Sequence, residues 1–386
     1  MRPLGDFRRL LVILGAGLAL VACGAAVNQA GTSARATTAA TTGARVTARP
    51  LTRYGNPAGH AQVPTAARAV NTSHPTRVIG NGSPRSCTSA AVVRAVARGG
   101  VITFNCGKNP VTITMRATAK VVNTHRKTVI DGGGKVTLSG AGKIRILYMN
   151  TCDPKQHLTT SDCWQQELPQ LVVQNMRFSD AYSGVRQTST SHYGGGAIFA
   201  QGGQLKVVNS GFFSNRCYKS GPDLGGAAIR ALGMYARRPV YLTDDTFRGG
   251  RCSNGGAVSG LFAGFAVFNS LFVKDKAIGF GANPQQAGTA GGGSGGAIYT
   301  DGGENYNVLI SGTVIRDCHA REGGGAIFFV IDKGGKGQLY HGNVLIEHHS
   351  VLRDNPSGKF QNAPGIFDSV DGKDVSPKIS GGSIVK

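Results

Sequence analysis

The chain has 386 residues, 58 of them glycine, and a formal net charge of +22. Glycine at roughly twice its usual share of about 7%, with no collagen period, excludes a triple helix. Together with many short Val, Ile, Phe and Thr runs it indicates an all-β chain with frequent tight corners. The basic excess favours polyanionic partners, and the lack of interleaved aromatics and arginines excludes nucleic acid.

Residues 1–22 have the pattern of an export signal. Arg2, Arg8 and Arg9 precede the apolar run LLVILGAGLALVA, which is too short to span a bilayer as a stable helix. The run ends in Leu20-Val21-Ala22-Cys23-Gly24, which resembles the bacterial lipoprotein signal. That resemblance implies a lipid on Cys23, a signal peptide over 1–22, and anchoring of an exported protein to the membrane. Residues 23–78, rich in Ala, Thr, Gly and Arg without an apolar period, are expected to be a flexible tether. The first 22 residues carry +2 and residues 24–80 carry +6, leaving about +14 on the remainder. For an exported protein, that charge points to anionic polysaccharide or cell-wall polymer.

From residue 79 a folded domain is expected to run to 386. It begins with SCTSAAVVRAVARGG, in which Ser86 or Thr88 can cap, Val92, Val93 and Val96 share a face, and Gly99-Gly100 stop a short amphipathic helix. VITFNCG, VTITM, KTVIDGGGKVTLSG and IRILYMN follow, each a β-prone run bounded by Gly or Asn.

An internal repeat dominates the rest. Gly195-Gly196-Ala197-Ile198 recurs at Gly226-Ala227-Ala228-Ile229, Gly255-Gly256-Ala257-Val258, Gly295-Gly296-Ala297-Ile298 and Gly324-Gly325-Ala326-Ile327, with a worn copy ending at Ile366. The spacings fit a unit of about 30 residues carrying two insertions, GFGANPQQAGTAGGG and IDKGGKGQLYHGN. A second phrase aligns on Phe178, Phe212, Phe247, Phe272, Val314 and Leu352, with Asn175, Asn209, Asp244, Asn269, Ser311 and His349 three residues earlier. Such units bury their apolar residues only by stacking. Strands without intervening helices predict a parallel β-helix, a single-stranded solenoid capped by the short helix, rather than a propeller or a leucine-rich repeat. Alternation puts the Ile/Val of the glycine phrase inside and the preceding alanine outside.

The phrases SCTSAAVVRAVARGGVITFNCGKNP, TVIDGGGKVTLSG and GGGAI…LKVVNSGFFSN resemble secreted bacterial proteins of the pectate-lyase-like right-handed parallel β-helix superfamily. They resemble above all the branch that shares its repeat with chlamydial polymorphic membrane proteins. The likeness covers about 79–370. It implies the fold far more sharply than a function, since lyases, hydrolases and adhesive modules share that scaffold.

Seven cysteines besides Cys23 lie in an exported segment, where pairing is favoured. Cys87 with Cys106 and Cys152 with Cys163 are neighbours, and Cys217 with Cys252 occupy the same place in successive repeats; Cys318 is left over. For chemistry, Asp244, Asp245 and Asp275 beside Arg248 or Arg251 could form a calcium-dependent polyuronate lyase site, though spacing does not show that they converge on one outer face. No metal-ligand spacing and no hydrolytic motif is present, so no cofactor is expected outside that lyase alternative. Trp164, beside the Cys152–Cys163 loop, is the candidate sugar contact. The expected function is non-catalytic, adhesion-type binding of a glycan or other surface polymer by a lipid-anchored envelope protein, on its long flat face and insertions. The alternative is a lyase or hydrolase acting on acidic polysaccharide.

Overall fold

A computed structural model of the protein describes residues 53–184, 193–335 and 338–386, all within one compact unit, Pro50–Lys386. The export signal, Cys23 and the first part of the expected tether lie outside the described residues.

The chain winds as a nearly closed parallel β solenoid in which successive coils stack their strands in register into three walls. The nine-stranded wall stacks the glycine phrases, with Ile198, Ile229, Val258, Ile298, Ile327 and Ile366 opposite one another in successive coils. A 17-stranded wall receives two strands per coil, and a five-stranded wall takes a two-residue strand from each of five coils. The helix Ser89–Arg98 packs Val92, Ala95 and Val96 into the core at the first coils; Thr88 caps it by accepting from the Ala91 amide at 3.2 Å.

The core is a set of columns. Phe178, Phe212, Phe247 and Phe272 stack with centroids 5.0, 4.8 and 4.6 Å apart and nearly parallel planes, each pair contributing about 0.5–1.5 kcal/mol beyond its buried area. Ile315 and then Leu352 continue this column. The expected alignment on Val314 is therefore one residue early, because two adjacent β-branched residues offer the repeat two equivalent registers. The position three residues before is then Gly312, not Ser311.

Each corner needs left-handed backbone. In the glycine phrase the first glycine has φ between +54° and +73° in all five copies; a Cβ on Gly226 would meet the Ile229 carbonyl, so this position excludes side chains while the second accepts Ala227. The alanine before the Ile is buried in the core as well, contrary to simple alternation. The amides of Ala197 and Ile198 both donate to the Ala228 carbonyl: the chain is still turning there, and period-two pleating starts one residue later. Between the two strands of the large wall the corner is held by Asn175, Asn209, Asp244 and Asn269, with φ from +45° to +54°, a conformation that Asn and Asp tolerate best among residues with side chains.

Two inner ladders close these corners. Ser210, Asp245, Ser270, Thr313 and Ser350, each one residue past the corner, are buried; the side chain of each later member accepts the backbone amide of the one before, at 2.7–3.1 Å. Asn215, Asp275 and Asn355 do the same for Ala181, Gly250 and Cys318. Cys318 belongs to this second column, three residues after Ile315. Its thiol is buried, donates to the Arg316 carbonyl at 3.4 Å and is pushed well above the usual thiol range by burial. It is a column member that pairs with nothing because no second cysteine stacks on it.

The three other pairs are disulfides: Cys87–Cys106, Cys152–Cys163 and Cys217–Cys252. They place the domain in an oxidising, extracytoplasmic compartment. No helix among the described residues is long and apolar enough to cross a membrane. The part of the expected tether that is described, from Arg53 to Val78, is not free chain. It lies against the large wall and then joins it as the strand Arg77–Ile79.

Candidate binding surface

A solenoid presents its walls to solvent, so a ligand site must lie where a wall is left uncovered. On the nine-stranded wall the outward column runs Phe199, Arg230, Ser259, Tyr299 and Phe328, yet none of the five is more than 3% exposed. The insertion at 278–293 lies over it. Asn283 Nδ2 donates to the Tyr299 hydroxyl at 3.2 Å, to Asp301 Oδ2 at 2.6 Å and to Asp223 Oδ1 at 3.0 Å, while the buried Glu322 accepts from the Gly281 amide. Arg230, fully buried, donates to Ser259 and to the Asp223 carbonyl. Burial, with Asp332 nearby, raises the Asp301 carboxyl to about 6. This wall carries a second, polar-edged core. The large wall is covered too: Val63 and Ala67 of the N-terminal segment lie on Tyr241, Ala266, Phe268 and Leu309. The long faces expected to receive a polymer are thus occupied in large part by the chain itself.

The five-stranded wall is different. Its outward positions, four residues after the core aromatic column, are Tyr182, Arg216, Arg251, Lys276 and His319, opposite one another in consecutive coils. Arg216 and Arg251 are exposed, Lys276 and His319 half-buried. None of the ion pairs among the described residues involves Arg216, Arg251 or Lys276. On the adjacent corner the arginines are neutralised locally, Arg316 by Asp317 and Arg353 by Asp354. Successive coils are about 4.8 Å apart, so like charges stand closely stacked, an arrangement that costs stability unless a counter-charge is supplied. His319 answers to this crowding: partial burial and the Lys276 charge hold its pKa below the usual histidine range. A recess of about 640 Å³ opens beside the row, lined by Tyr182, Arg216, Tyr218, Lys219 and Arg251. The exposed Phe280 ring, four residues after Lys276, has Arg321 and Lys359 over it, 4.4 and 4.6 Å from its centre. Beneath the row, Cys217–Cys252 ties two coils together.

The residues proposed from sequence for a lyase do not converge on one outer face, although Arg248 lies close enough to Asp275 to lower its carboxyl partly. Asp245 and Asp275 are fully buried corner acceptors whose carboxyls are raised by desolvation, Asp275 to about 8. Asp244 sits at a left-handed corner, half-buried, with its pKa raised by burial and partly lowered again by Arg53. Arg248 projects from the large wall and Arg251 from the five-stranded one. Among these five only Arg251 belongs to the exposed basic row. Trp164 packs edge-on against Phe262 at 5.8 Å and joins the apolar patch of Tyr148, Phe199, Leu232 and Leu261, so its indole is half-committed to holding the Cys152–Cys163 loop. No cluster of three or more His, Cys, Asp or Glu among the described residues is arranged to hold a metal.

The basic row is legible in the sequence: its members stand four residues after Phe212, Phe247, Phe272 and Ile315, and Arg216 and Arg251 immediately precede Cys217 and Cys252. Comparison with family models, with curated proteins and with solved structures returns no match.

Proposed function

We propose that the protein is a lipid-anchored cell-envelope protein with a right-handed parallel β-helix domain of the pectate-lyase-like kind, and that it binds an anionic surface polymer without turning it over. The observation that carries this reading is the row Arg216, Arg251, Lys276 and His319, stacked in register and lacking ion-pair partners at its first three positions. A rigid, evenly spaced line of cations suits a chain whose acidic groups also recur at regular intervals, because each contact adds without new ordering of the protein. Disulfides and an export-type leader support an extracytoplasmic setting, and anchoring through Cys23 follows from the Leu-Val-Ala-Cys-Gly resemblance.

The enzymatic reading has one observation in its favour: Asp223 and Asp301 are bridged by a single amide nitrogen, as close as carboxylate pairs in retaining glycosidases stand. Against it, that nitrogen fills the space a glycosidic bond would need. Incubating the exported protein with uronate polysaccharides, with and without calcium, and following ultraviolet absorbance and reducing ends separates the readings. Retention on the polymer without product is expected; product formation lost on Asp301→Asn would overturn the binding reading. Replacing Cys23 with Ser tests the anchor, since the protein should then leave the membrane fraction.

A further inference from the structure

The segment from Tyr54 to Thr72 crosses the outer face of the large wall without joining its ladder. It is held mainly by side chains. Gln174 accepts from the Val70 amide through Oε1 at 2.8 Å and donates from Nε2 to the Val70 carbonyl at 2.9 Å. Asn269, three coils away, treats Ala61 the same way, at 2.8 and 3.1 Å. Each carboxamide offers one residue of extended backbone the paired donor and acceptor that a neighbouring strand would offer, and neither contacts that residue's side chain by a hydrogen bond.

Between the clasps, Lys206 Nζ donates to the Arg68 carbonyl at 2.7 Å and Thr243 Oγ1 to the Ala67 carbonyl at 3.1 Å. Beyond them, Asn209 Oδ1 and Thr246 Oγ1 accept from the amides of Tyr54 and Gly55. Gly55 and Gly59 approach so closely that a Cβ on either would lie within 2.7 Å of a backbone carbonyl oxygen of the wall, that of Asn269 or Gly312. Val63 and Ala67 supply the small apolar contacts. At the other end the segment is connected through Asn71–His74, of which Asn71, Ser73 and His74 are exposed.

We propose that this face is a docking surface for extended peptide, with Gln174 and Asn269 as its backbone clasps and Tyr54–Thr72 as its resident, exchangeable occupant. The surface reads chiefly main chain, with glycine at two points of closest approach and small apolar residues between, and adds two side-chain contacts, Asn56 Nδ2 donating to the Gly312 carbonyl at 2.9 Å and Thr72 Oγ1 to Asp131 at 2.7 Å. It is strand addition carried out by side chains rather than by a sheet edge, and it is independent of the basic row.

The test inserts a protease recognition sequence between Ser73 and His74 in the full chain. After cleavage, a fluorescein-labelled synthetic peptide of residues 53–73 should raise its anisotropy on the nicked protein and be displaced by unlabelled peptide, while the uncut chain takes up none. The double substitution Gln174→Ala, Asn269→Ala should weaken uptake at least about tenfold, the equivalent of about 1.4 kcal/mol. A nicked protein that melts like the intact one yet takes up no peptide, or takes it up equally with both clasps removed, overturns the proposal. Hydrogen exchange on the uncut chain gives a second reading. In the double variant the amides of Ala61 and Val70 should lose protection by at least about tenfold while those of Val207 and Leu242 keep theirs; unchanged protection at Ala61 and Val70 overturns it.

Discussion

Arg230 and Arg251 stand on two walls of the same solenoid, each at an outward position of a strand. Arg230 is fully buried beneath the 278–293 insertion and bonded to Ser259 and the Asp223 carbonyl; Arg251 is exposed and stacked between two other cations. The difference shows that an outward-facing position in this chain is not a solvent-facing one. The nine-stranded and the large wall each acquired a covering from the chain's own loops or N-terminal segment, and their outward side chains became structural. The five-stranded wall leaves Arg216 and Arg251 in water, and no ion pair among the described residues meets their charge.

Substitutions on the two walls should therefore separate cleanly. The largest effect belongs to Arg230→Ala. It strips the partner from Ser259 and leaves a cavity under the insertion, for a loss of about 3 kcal/mol in thermal or denaturant unfolding, with polymer binding by the folded fraction unchanged. A stability loss below about 0.5 kcal/mol would mean that the covered wall is not a second core.

Next comes Asp275→Asn, which gives this column the residue found at Asn215 and Asn355. The folded carboxyl keeps its proton up to about 8, the unfolded one only to about 3.9. The stability of the natural protein should thus decline as pH rises between those values, and the variant should escape the decline. The variant should be the more stable of the two at pH 9, and the gap should close as pH falls toward 4, as read from melting temperatures across the range.

Smaller still are the effects on the exposed wall. Arg251→Ala should leave the melting temperature within about a degree while weakening retention on an anionic polymer by roughly fivefold at low salt, an effect that fades as salt screens it. Arg316→Ala, whose charge is already met by Asp317, should change neither quantity measurably, and a loss of retention equal to that of Arg251→Ala would show net charge rather than the row to be what matters.

The repeat was legible in the sequence because its columns are unforgiving. A glycine forced to φ near +60°, an Ile inside and a Phe stacked on a Phe recur in nearly every coil, and three disulfide pairs follow from neighbourhood and register. What was not legible depended on contacts between distant residues. YGNPAGHAQV has the composition of a linker and no period, and its order comes from Gln174, Asn269 and their neighbours, which lie 104 and 208 residues away from their partners. The slip at Val314 arose where two adjacent residues were both suited to the core. The lyase candidates were chosen by residue type; the structure spends Asp245 and Asp275 on corner amides, a role that Ser, Thr or Asn fills in neighbouring coils. Coverage of the nine-stranded wall likewise depended on where an insertion folds back.

The central claim is that the unpaired row on the five-stranded wall is the polymer site. Its most direct test is the dissociation constant of the exported protein for an anionic wall or uronate polymer, measured beside that of the triple variant Arg216→Glu, Arg251→Glu, Lys276→Glu at two salt concentrations. The account predicts a loss of at least about 100-fold at low salt, or about 2.7 kcal/mol, with the melting temperature held. Equal affinity in a folded triple variant would contradict it.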